Sequence, residues 1–164
     1  MSEHISYRVI QSDDLEAVFS FCEALKVENA RMSFTDVNQL QDIFDWYEAT
    51  AVYLYGAFNE AGELVGLLKG TRGVANKAHS VYLAAAVSQP YRKLSIASGL
   101  TLYALDCMKQ EGIKIARTYI YSWNKASIAT IEKVGFIQSG KVYMHEYDEV
   151  TQTYIDDLIY YKVL

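Results

Sequence analysis

The spacing of apolar residues along the chain changes repeatedly between that of a helix and that of a strand. Apolar positions three and four residues apart predict helices over residues 15–27, 37–48, 96–111 and 125–134. Alternating or β-branched runs predict strands over residues 7–10, 51–58, 63–71, 79–87, 115–122, 136–147 and 154–163. The resulting order, β-α-α-β-β-β-α-β-α-β-β, predicts a mixed α/β domain of the α+β class.

Residues that favour caps and turns support these boundaries. Asp13 is the predicted N-cap of the first helix, and Pro90 ends the strand that precedes the longest helix. Gly112 and Gly135 each follow a predicted helix, where glycine commonly occurs. Gly62 lies in a predicted hairpin turn between two strands.

The length and composition indicate one globular domain over residues 1–164. Hydrophobic residues make up 51% of the chain and charged residues 21%, and no linker or repeat interrupts it. No apolar run approaches ~20 residues and the first six residues contain no signal core, so we expect a cytoplasmic protein without a membrane span. In a reducing compartment, Cys22 and Cys107 are expected to pack as small apolar residues and not to form a disulfide.

Charge is distributed unevenly along the chain, whose formal net charge is −5. Residues 1–63 contain 12 of the 20 acidic residues but 3 of the 15 basic ones, so the remainder is net positive. An acidic part suits a cationic acceptor and a basic part suits a polyanionic cofactor; alternatively, these carboxylates are solvated helix faces. Because the sequence shows no concentrated basic face, a nucleic-acid partner is not expected.

The segment between the strand at 79–87 and the helix at 96–111 is a candidate anion site. Backbone N–H groups at a helix N-terminus lack partners and carry partial positive charge, so they bind anions such as phosphate. Arg92 and Lys93 add side-chain charge, and an arginine can bond two phosphate oxygens at once. From the local sequence alone, an ordinary loop with two surface cations is the simpler interpretation.

Two motifs in this part of the chain resemble those of a known family. The first runs Val87-Ser-Gln-Pro-Tyr-Arg-Lys-Leu-Ser-Ile-Ala97 and resembles the acetyl-CoA loop of the GNAT superfamily, (Arg/Gln)-x-x-Gly-x-(Gly/Ala), which follows a strand-ending valine. The second consists of Asn124, a short helix and Glu-Lys-Val-Gly-Phe136, and is similar to the family's second signature. The resemblance implies the GNAT fold, a central twisted and mostly antiparallel sheet of about six to seven strands flanked by about four helices.

The resemblance also implies an N-acetyltransferase that moves an acetyl group from acetyl-CoA to an amine and releases CoA. The C-terminal hairpin is similar to that of the Rim-type and polyamine N-acetyltransferases, so the acceptor would be a small amine, a polyamine or a protein N-terminus. A homodimer through this hairpin is compatible with the same analogy. The positions that match the family's cofactor-binding residues are Val87, Arg92, Lys93, Leu94, Ser95, Ile96, Ala97, Asn124 and Ser127.

The sequence departs from the family pattern at two positions. Ser95 replaces the central glycine of the loop, and because serine is a favourable N-cap we expect the anion site to persist. Ile131 replaces the tyrosine that protonates the departing thiolate in many members. Ser127 matches a serine of the Rim-type branch and is the candidate catalytic partner of the CoA sulfur; alternatively, it only caps the short helix. These departures motivate an alternative function, a GNAT-fold module that binds or senses acyl-CoA with impaired catalysis.

The sequence does not identify a general base, because the strand at 79–87 lacks the glutamate that family members often place there. The backbone N–H near Val87 is the implied donor to the oxyanion. Side chains on strands that could border the cleft are Tyr82, Tyr119, Tyr121, Tyr143 and Glu146, together with His79 and His145. No metal site is predicted, since the three histidines are far apart and neither cysteine has ligand-like spacing to one.

Overall fold

The computed structural model describes residues 3–164, so Met1 and Ser2, which begin the segment predicted to lack a signal core, lie outside the described residues. The strands are β1 (Ser6–Val9), β2 (Val52–Phe58), β3 (Leu64–Arg72), β4 (Ser80–Val87), β5 (Ile115–Tyr121), β6 (Ile137–Asp148) and β7 (Thr153–Val163). The helices are α1 (Leu15–Val27), α2 (Leu40–Glu48), α3 (Ile96–Gln110) and α4 (Lys125–Lys133). None of these helices combines the length and apolar character needed to span a bilayer.

All seven strands form one sheet in the order β1-β2-β3-β4-β5-β7-β6. Neighbouring strands are antiparallel except β4 and β5, which are parallel because α3 carries the chain back across the sheet between them. The last strand, β7, inserts between β5 and β6. This arrangement confirms the predicted α+β fold with a mostly antiparallel sheet.

Helices cover both faces of the sheet. On one face, α3 buries Leu100, Ala104 and Met108 against Val81 and Leu83 of β4. On the other face, α1 and α2 contribute to a second cluster of buried side chains that includes Val18, Cys22, Leu25, Phe34, Ile43 and Leu67. Since side chains alternate along a strand, odd-numbered residues of β4 face α3 and even-numbered residues face α1 and α2. The two faces of β4 therefore pack against different helices.

One predicted N-cap and one predicted helix start were wrong. Asp13 lies in a 3-10 turn (Ser12–Asp14), and the N-cap of α1 is Asp14, which accepts the Gln11 N–H at 2.7 Å and so closes the turn before the helix. α2 begins at Leu40, three residues later than predicted, because the Asp42 carboxylate accepts two backbone N–H groups that precede the helix, at 2.8 and 3.1 Å. Side-chain acceptors thus place the N-cap of α1 and the start of α2 closer to the C-terminus than predicted.

The predictions for the hairpin turn and the cysteines are confirmed. Gly62 has φ of +80° and donates its N–H to the Asn59 carbonyl at 3.0 Å, in a backbone conformation that favours glycine. Cys22 is buried and Cys107 is half-buried, and both thiols are free. Burial raises the pKa of the Cys22 thiol to about 12, so this thiol packs as an apolar group.

Candidate active site

The two parallel strands at the centre of the sheet separate along their length. β4 and β5 are paired only as far as Tyr82 and Arg117. Beyond that point no strand among residues 3–164 pairs with β4 on this side, whereas β5 stays paired with β7 as far as Tyr121. Where the strands part, the Thr118 hydroxyl donates to the Leu83 carbonyl at 3.0 Å, in place of a backbone donor. The result is a split that opens toward the carboxyl ends of β4 and β5.

Backbone groups of β4 line this split. Ser88 donates its N–H to the Val65 carbonyl of β3 at 2.9 Å. Because backbone groups alternate in direction along a strand, the N–H groups of Ala85 and Val87 point the other way, into the split. The Val87 carbonyl, on the same side, accepts a hydrogen bond from Arg92 Nε at 2.9 Å. The edge of β4 therefore offers amide donors to a ligand that lies in the split.

The loop that follows β4 reaches α3 through two residues with a left-handed backbone. Lys93 has φ of 65° and Ser95 has φ of 62°, and Leu94 between them is exposed. Ser95 is the N-cap of α3, as its place in the motif predicted, and its hydroxyl makes no capping hydrogen bond. A side-chain cap needs an extended N-cap residue, which a φ of 62° does not provide.

The start of α3 leaves backbone donors free for an anion. The first hydrogen bond within the helix joins the Gly99 N–H to the Ser95 carbonyl at 3.1 Å. The N–H groups of Ile96, Ala97 and Ser98 therefore have no acceptor within the helix. The Ile96 side chain is buried in the core and the Ala97 side chain is half-buried, so both residues reach an anion through their backbone. The segment that the motif marks therefore ends at a helix N-terminus with three backbone N–H groups that have no acceptor within the helix.

Three cationic side chains lie around the loop, and sequence analysis missed one of them. Lys93 is exposed on the loop itself. Lys133 comes from α4 and places its Nζ 3.4 Å from the Ser95 hydroxyl; the Glu-Lys pair of the second motif was the signal that pointed to it. The Arg92 guanidinium is ion-paired with Glu28 at the end of α1. Arg92, which the resemblance implies as a cofactor-binding residue, is thus held toward α1.

The first turn of α4 brings Asn124 and Ser127 together. Asn124 is the N-cap of the helix, and its Oδ1 accepts the Ser127 N–H at 3.1 Å. Ser127 is therefore capped by Asn124, and the alternative that Ser127 itself caps the helix was wrong. Ile131, which stands where many family members have a tyrosine, is 8% exposed and packs in the core with α3. A proton donor for a thiolate is therefore absent at that position.

Across the sheet, toward α1 and α2, the split is bordered by aromatic rings. Tyr82 of β4 and Tyr119 of β5 face each other with ring centroids 5.4 Å apart. The Tyr121 hydroxyl donates to Glu146 at 2.6 Å, and the Tyr121 ring stacks on Trp123. Burial and the hydrogen bond to Glu146 raise the pKa of Tyr121 to about 12. We call Tyr82, Tyr119 and Tyr121 the tyrosine face.

An ion pair joins the α1–α2 connection to the C-terminal hairpin beside this face. Arg31 binds Asp148 in a bidentate manner, with two N–O distances of 2.8 Å. Asp148 also accepts the Val150 and Thr151 N–H groups, and Arg31 together with these donors holds the pKa of its carboxyl well below the usual range. Arg31 and Asp148 line one wall of an open groove that also includes Trp123.

The remaining candidates for a base lie in different environments. His79 immediately precedes β4, where its carbonyl accepts the Lys114 N–H at the closed end of the split. Tyr143 is 74% exposed on β6. His145 Nε2 lies 3.9 Å from Asp157 Oδ2, a buried carboxylate of β7 that sequence analysis did not single out. In the described part of the chain, no group of three His, Cys, Asp or Glu side chains could hold a metal ion.

Several solved structures share this fold. An acetyltransferase of the GNAT family from Streptococcus pneumoniae is 18% identical with a TM-score of 0.86, and the match covers 98% of this chain and 100% of that one. The Salmonella typhimurium protein yncA, solved with its cofactor acetyl-CoA, is 16% identical with a TM-score of 0.85, covering 98% and 94% of the two chains. A ribosomal-protein-alanine N-acetyltransferase from Brucella melitensis is 22% identical with a TM-score of 0.82, covering 97% and 99%.

The sequence itself supplies the family assignment. None of the curated proteins matches it closely enough to serve as a relative. Residues 19–136, which include both motifs and all four helices except the start of α1, match the acetyltransferase (GNAT) family. The chain belongs to the GNAT family of acetyltransferases.

Proposed function

We propose that this protein transfers the acetyl group of acetyl-CoA to a primary amine by direct attack of the amine on the thioester, with release of CoA. The observation that carries this proposal is the split between β4 and β5. It opens to the start of α3 on one face of the sheet and to the tyrosine face on the other. A cofactor and an acceptor can therefore approach the same point from opposite faces.

The residues around the split fit acetyl-CoA. The free N–H groups at the start of α3, together with Lys93 and Lys133, would hold its pyrophosphate through charge-assisted hydrogen bonds. The edge of β4 at Ala85 and Val87 would pair with the amide groups of the pantetheine arm. Asn124 uses its Oδ1 as the helix cap and so keeps its side-chain NH2 for the same arm. When bound, acetyl-CoA supplies an acetyl group activated as a thioester.

Groups of this chain serve the other needs of the reaction. An N–H of β4 that points into the split stabilises the oxyanion that forms when the amine attacks. The Ser127 hydroxyl, in the first turn of α4, hydrogen-bonds the departing sulfur, either directly or through one water. Ser127 takes this role because Ile131 is apolar and buried.

The acceptor that the site favours is a cationic amine. Glu146 and Asp157 place negative charge beside the tyrosine face, and aromatic rings attract cations. The acidic segment that ends at residue 63 contributes α1 and α2 to the same side of the sheet. Polyamines and protein N-termini both meet this description. The Brucella melitensis structure is described as acting on a ribosomal-protein alanine, which supports including N-terminal peptides in the test.

The test follows CoA release with a thiol reagent, at saturating acetyl-CoA, against spermidine, a peptide with N-terminal alanine, and glutamate as an anionic amine. We expect release with a cationic acceptor at least about tenfold faster than with glutamate, a difference of about 1.4 kcal/mol. Equal rates for cationic and anionic amines would contradict the preference for cations and leave the transfer itself standing.

A second candidate function is an acyl-CoA sensor with impaired catalysis. The observation that favours it is Ile131, whose burial removes the acid that many family members use. Thermal unfolding separates the two functions, because a ligand that binds only the folded state raises the melting temperature. A rise with acetyl-CoA but no CoA release with any amine would establish the sensor and reject the transferase.

A further inference from the structure

Four carboxylates lie around the tyrosine face and the loop after β4. Three of them already have a hydrogen-bond or ion-pair partner. Glu28 is ion-paired with Arg92, Glu146 accepts the Tyr121 hydroxyl, and Asp148 is bound by Arg31 and by backbone N–H groups. The fourth, Asp157, accepts no hydrogen bond from any of residues 3–164, and its ion-pair contact in that part of the chain is His145 Nε2 at 3.9 Å. Asp157 is therefore the carboxylate on this face with lone pairs free for a ligand.

The position of Asp157 follows from the strand register. Asp157 of β7 lies opposite Tyr121 of β5, near the open end of the split. Its neighbour Leu158 packs in the cluster formed with α3 and α4, so the alternation along β7 directs Asp157 to the other face, with Tyr82 and Tyr119. The Asp157 side chain is only 10% exposed although it is charged.

The groups that face Asp157 come from three strands. Tyr82 extends from β4, Tyr121 from β5, and His145 and Glu146 from β6, while Arg31 lies beyond Glu146 and is neutralised by Asp148. Burial, opposed by His145 and assisted by Glu146, raises the pKa of the Asp157 carboxyl. Burial and the charge of Asp157 in turn raise the pKa of Tyr82, which lies where β4 and β5 part.

A β-bulge accounts for the approach of His145. Between the paired positions Val142–Asp157 and Glu146–Ile155, β6 has three residues where β7 has one. Met144 in this bulge has φ of 49°, and its N–H is held by an Asp156 oxygen at 2.9 Å. Bulges commonly redirect side chains beside active sites. Here the bulge puts a half-exposed imidazole, whose side chain is 50% exposed, between Asp157 and solvent.

We infer that Asp157 is the general base of the transfer, accepting a proton from the ammonium group of the acceptor directly or through one water, and that His145 returns that proton to solvent. This inference rests on the proposed amine acetylation. The ammonium ion gives one proton to Asp157, and the neutral amine then attacks the thioester carbon. As the carbon–sulfur bond breaks, the second nitrogen-bound proton goes to the thiolate. The products are the N-acetyl amine, CoA and one proton released to solvent.

The need for this base depends on the acceptor. At pH 7 an alkyl ammonium with a pKa of ~10.4 is neutral in roughly one molecule of 2,500, whereas an α-amine with a pKa of ~7.7–8 is neutral in roughly one of five to ten. General bases contribute about 10²–10⁴ in rate. Removal of the Asp157 carboxylate should therefore slow acetyl transfer to an alkyl amine most at neutral pH. The rate should fall least near the pKa of the amine, where a large fraction of the amine is already neutral.

The experiment compares Asp157→Asn, Glu146→Gln and Asp106→Asn with the wild-type protein between about pH 6.5 and 10, with acetyl-CoA and either spermidine or a peptide with N-terminal alanine. Asp106 is an exposed carboxylate of α3, so its substitution is the matched acid-to-amide control. For Asp157→Asn we expect kcat with spermidine to fall about 100-fold at pH 7 and to recover to within about threefold of wild type near pH 10. The KM for acetyl-CoA should be unchanged, which also shows that the variant is folded, and Asp157→Glu should restore part of the activity.

Three results would overturn the inference. The first is a kcat of Asp157→Asn with spermidine within about threefold of wild type at pH 7. The second is a loss of kcat in Asp157→Asn that is equal at every pH. The third is a pH-dependent loss of kcat in Glu146→Gln and not in Asp157→Asn. Any of these would leave the proposed function standing, because the wild-type protein would still turn over. No CoA release by the wild-type protein with either amine would reject the proposed function and the inference together.

Discussion

The Thr118 hydroxyl donates to the Leu83 carbonyl at 3.0 Å at the point where β4 and β5 part. Leu83 is the first residue of β4 beyond the paired segment, and its carbonyl points toward β5 with no backbone donor opposite. An unpartnered buried carbonyl costs free energy, so this hydroxyl stabilises the split at its closed end. The split is thus built into the sheet before any ligand enters.

Substitution of Thr118 tests this relationship. Thr118→Val keeps the side-chain shape and leaves the Leu83 carbonyl without a partner, which should lower the free energy of unfolding by about 1–3 kcal/mol. Urea unfolding measures the loss, and Thr118→Ser, which keeps the hydroxyl, should retain most of the stability. A Thr118→Val protein as stable as wild type would mean that the carbonyl finds another donor.

Replacement of Ser95 by glycine should stabilise the protein. A left-handed backbone costs a non-glycine residue about 1–2 kcal/mol, and glycine adopts it without that cost. We expect Ser95→Gly to raise the melting temperature by about 2–8 °C, at about 2–4 °C per kcal/mol for a chain of this size. Ser95→Ala is the matched control, because it removes the hydroxyl but keeps the Cβ and the strain. A similar rise in both variants would assign the effect to the hydroxyl and not to the backbone.

Lys133 should contribute to the affinity for acetyl-CoA through a contact with its pyrophosphate. Its Nζ lies beside the loop at Ser95, and loss of one exposed charge-assisted contact should weaken acetyl-CoA binding by about 1 kcal/mol, roughly fivefold in Kd. Calorimetric titration of Lys133→Met with acetyl-CoA measures this loss. S-acetylpantetheine, which lacks phosphate, should bind both proteins equally, and Lys109→Met at the far end of α3 should bind acetyl-CoA as wild type does. A loss that is the same for both ligands would place Lys133 outside the phosphate site.

The Arg31–Asp148 pair should make stability depend on pH in one direction. The folded pKa of Asp148 lies below its unfolded value of ~3.9, so the stabilisation is complete at higher pH and disappears as the pH falls from ~3.9 through the folded value. Arg31→Met should therefore be less stable than wild type at pH 7, and the difference should narrow once the pH falls below the folded pKa of Asp148 in the variant, which is at most ~3.9. Part of the lowered pKa should survive, because the Val150 and Thr151 N–H groups still bind the carboxylate.

Urea unfolding at several pH values checks this prediction, with Arg117→Met as the control. Arg117 is an exposed arginine of β5 that forms no ion pair with any of residues 3–164. Its substitution should leave the pH dependence as in wild type. An Arg31→Met protein whose stability deficit stays constant from pH 7 down to about pH 2 would show that Arg31 acts through packing and not through its charge.

Local patterns in the sequence determined the elements and the place of the loop. Strand alternation and helical spacing are properties of a few consecutive residues, so they predicted each of the seven strands and each of the four α-helices. The segment from Val87 to Ala97 lies between a strand and a helix, and its place at a helix N-terminus followed from that alone. The start of α2 was wrong, because the Asp42 carboxylate selects among several nearby N–H groups.

Only the tertiary structure decided which side chains meet at the site. Lys133 contacts Ser95, which lies 38 residues away in the sequence, and Glu28 is ion-paired with Arg92, which lies 64 residues away. Asp157 sits on the tyrosine face because β7 inserts beside β5 in one register, and a shift of one residue would turn it to the opposite face. Such contacts depend on strand order and register, which many distant residues set together through packing of the core. The spacing of residues along the chain therefore does not predict these long-range contacts.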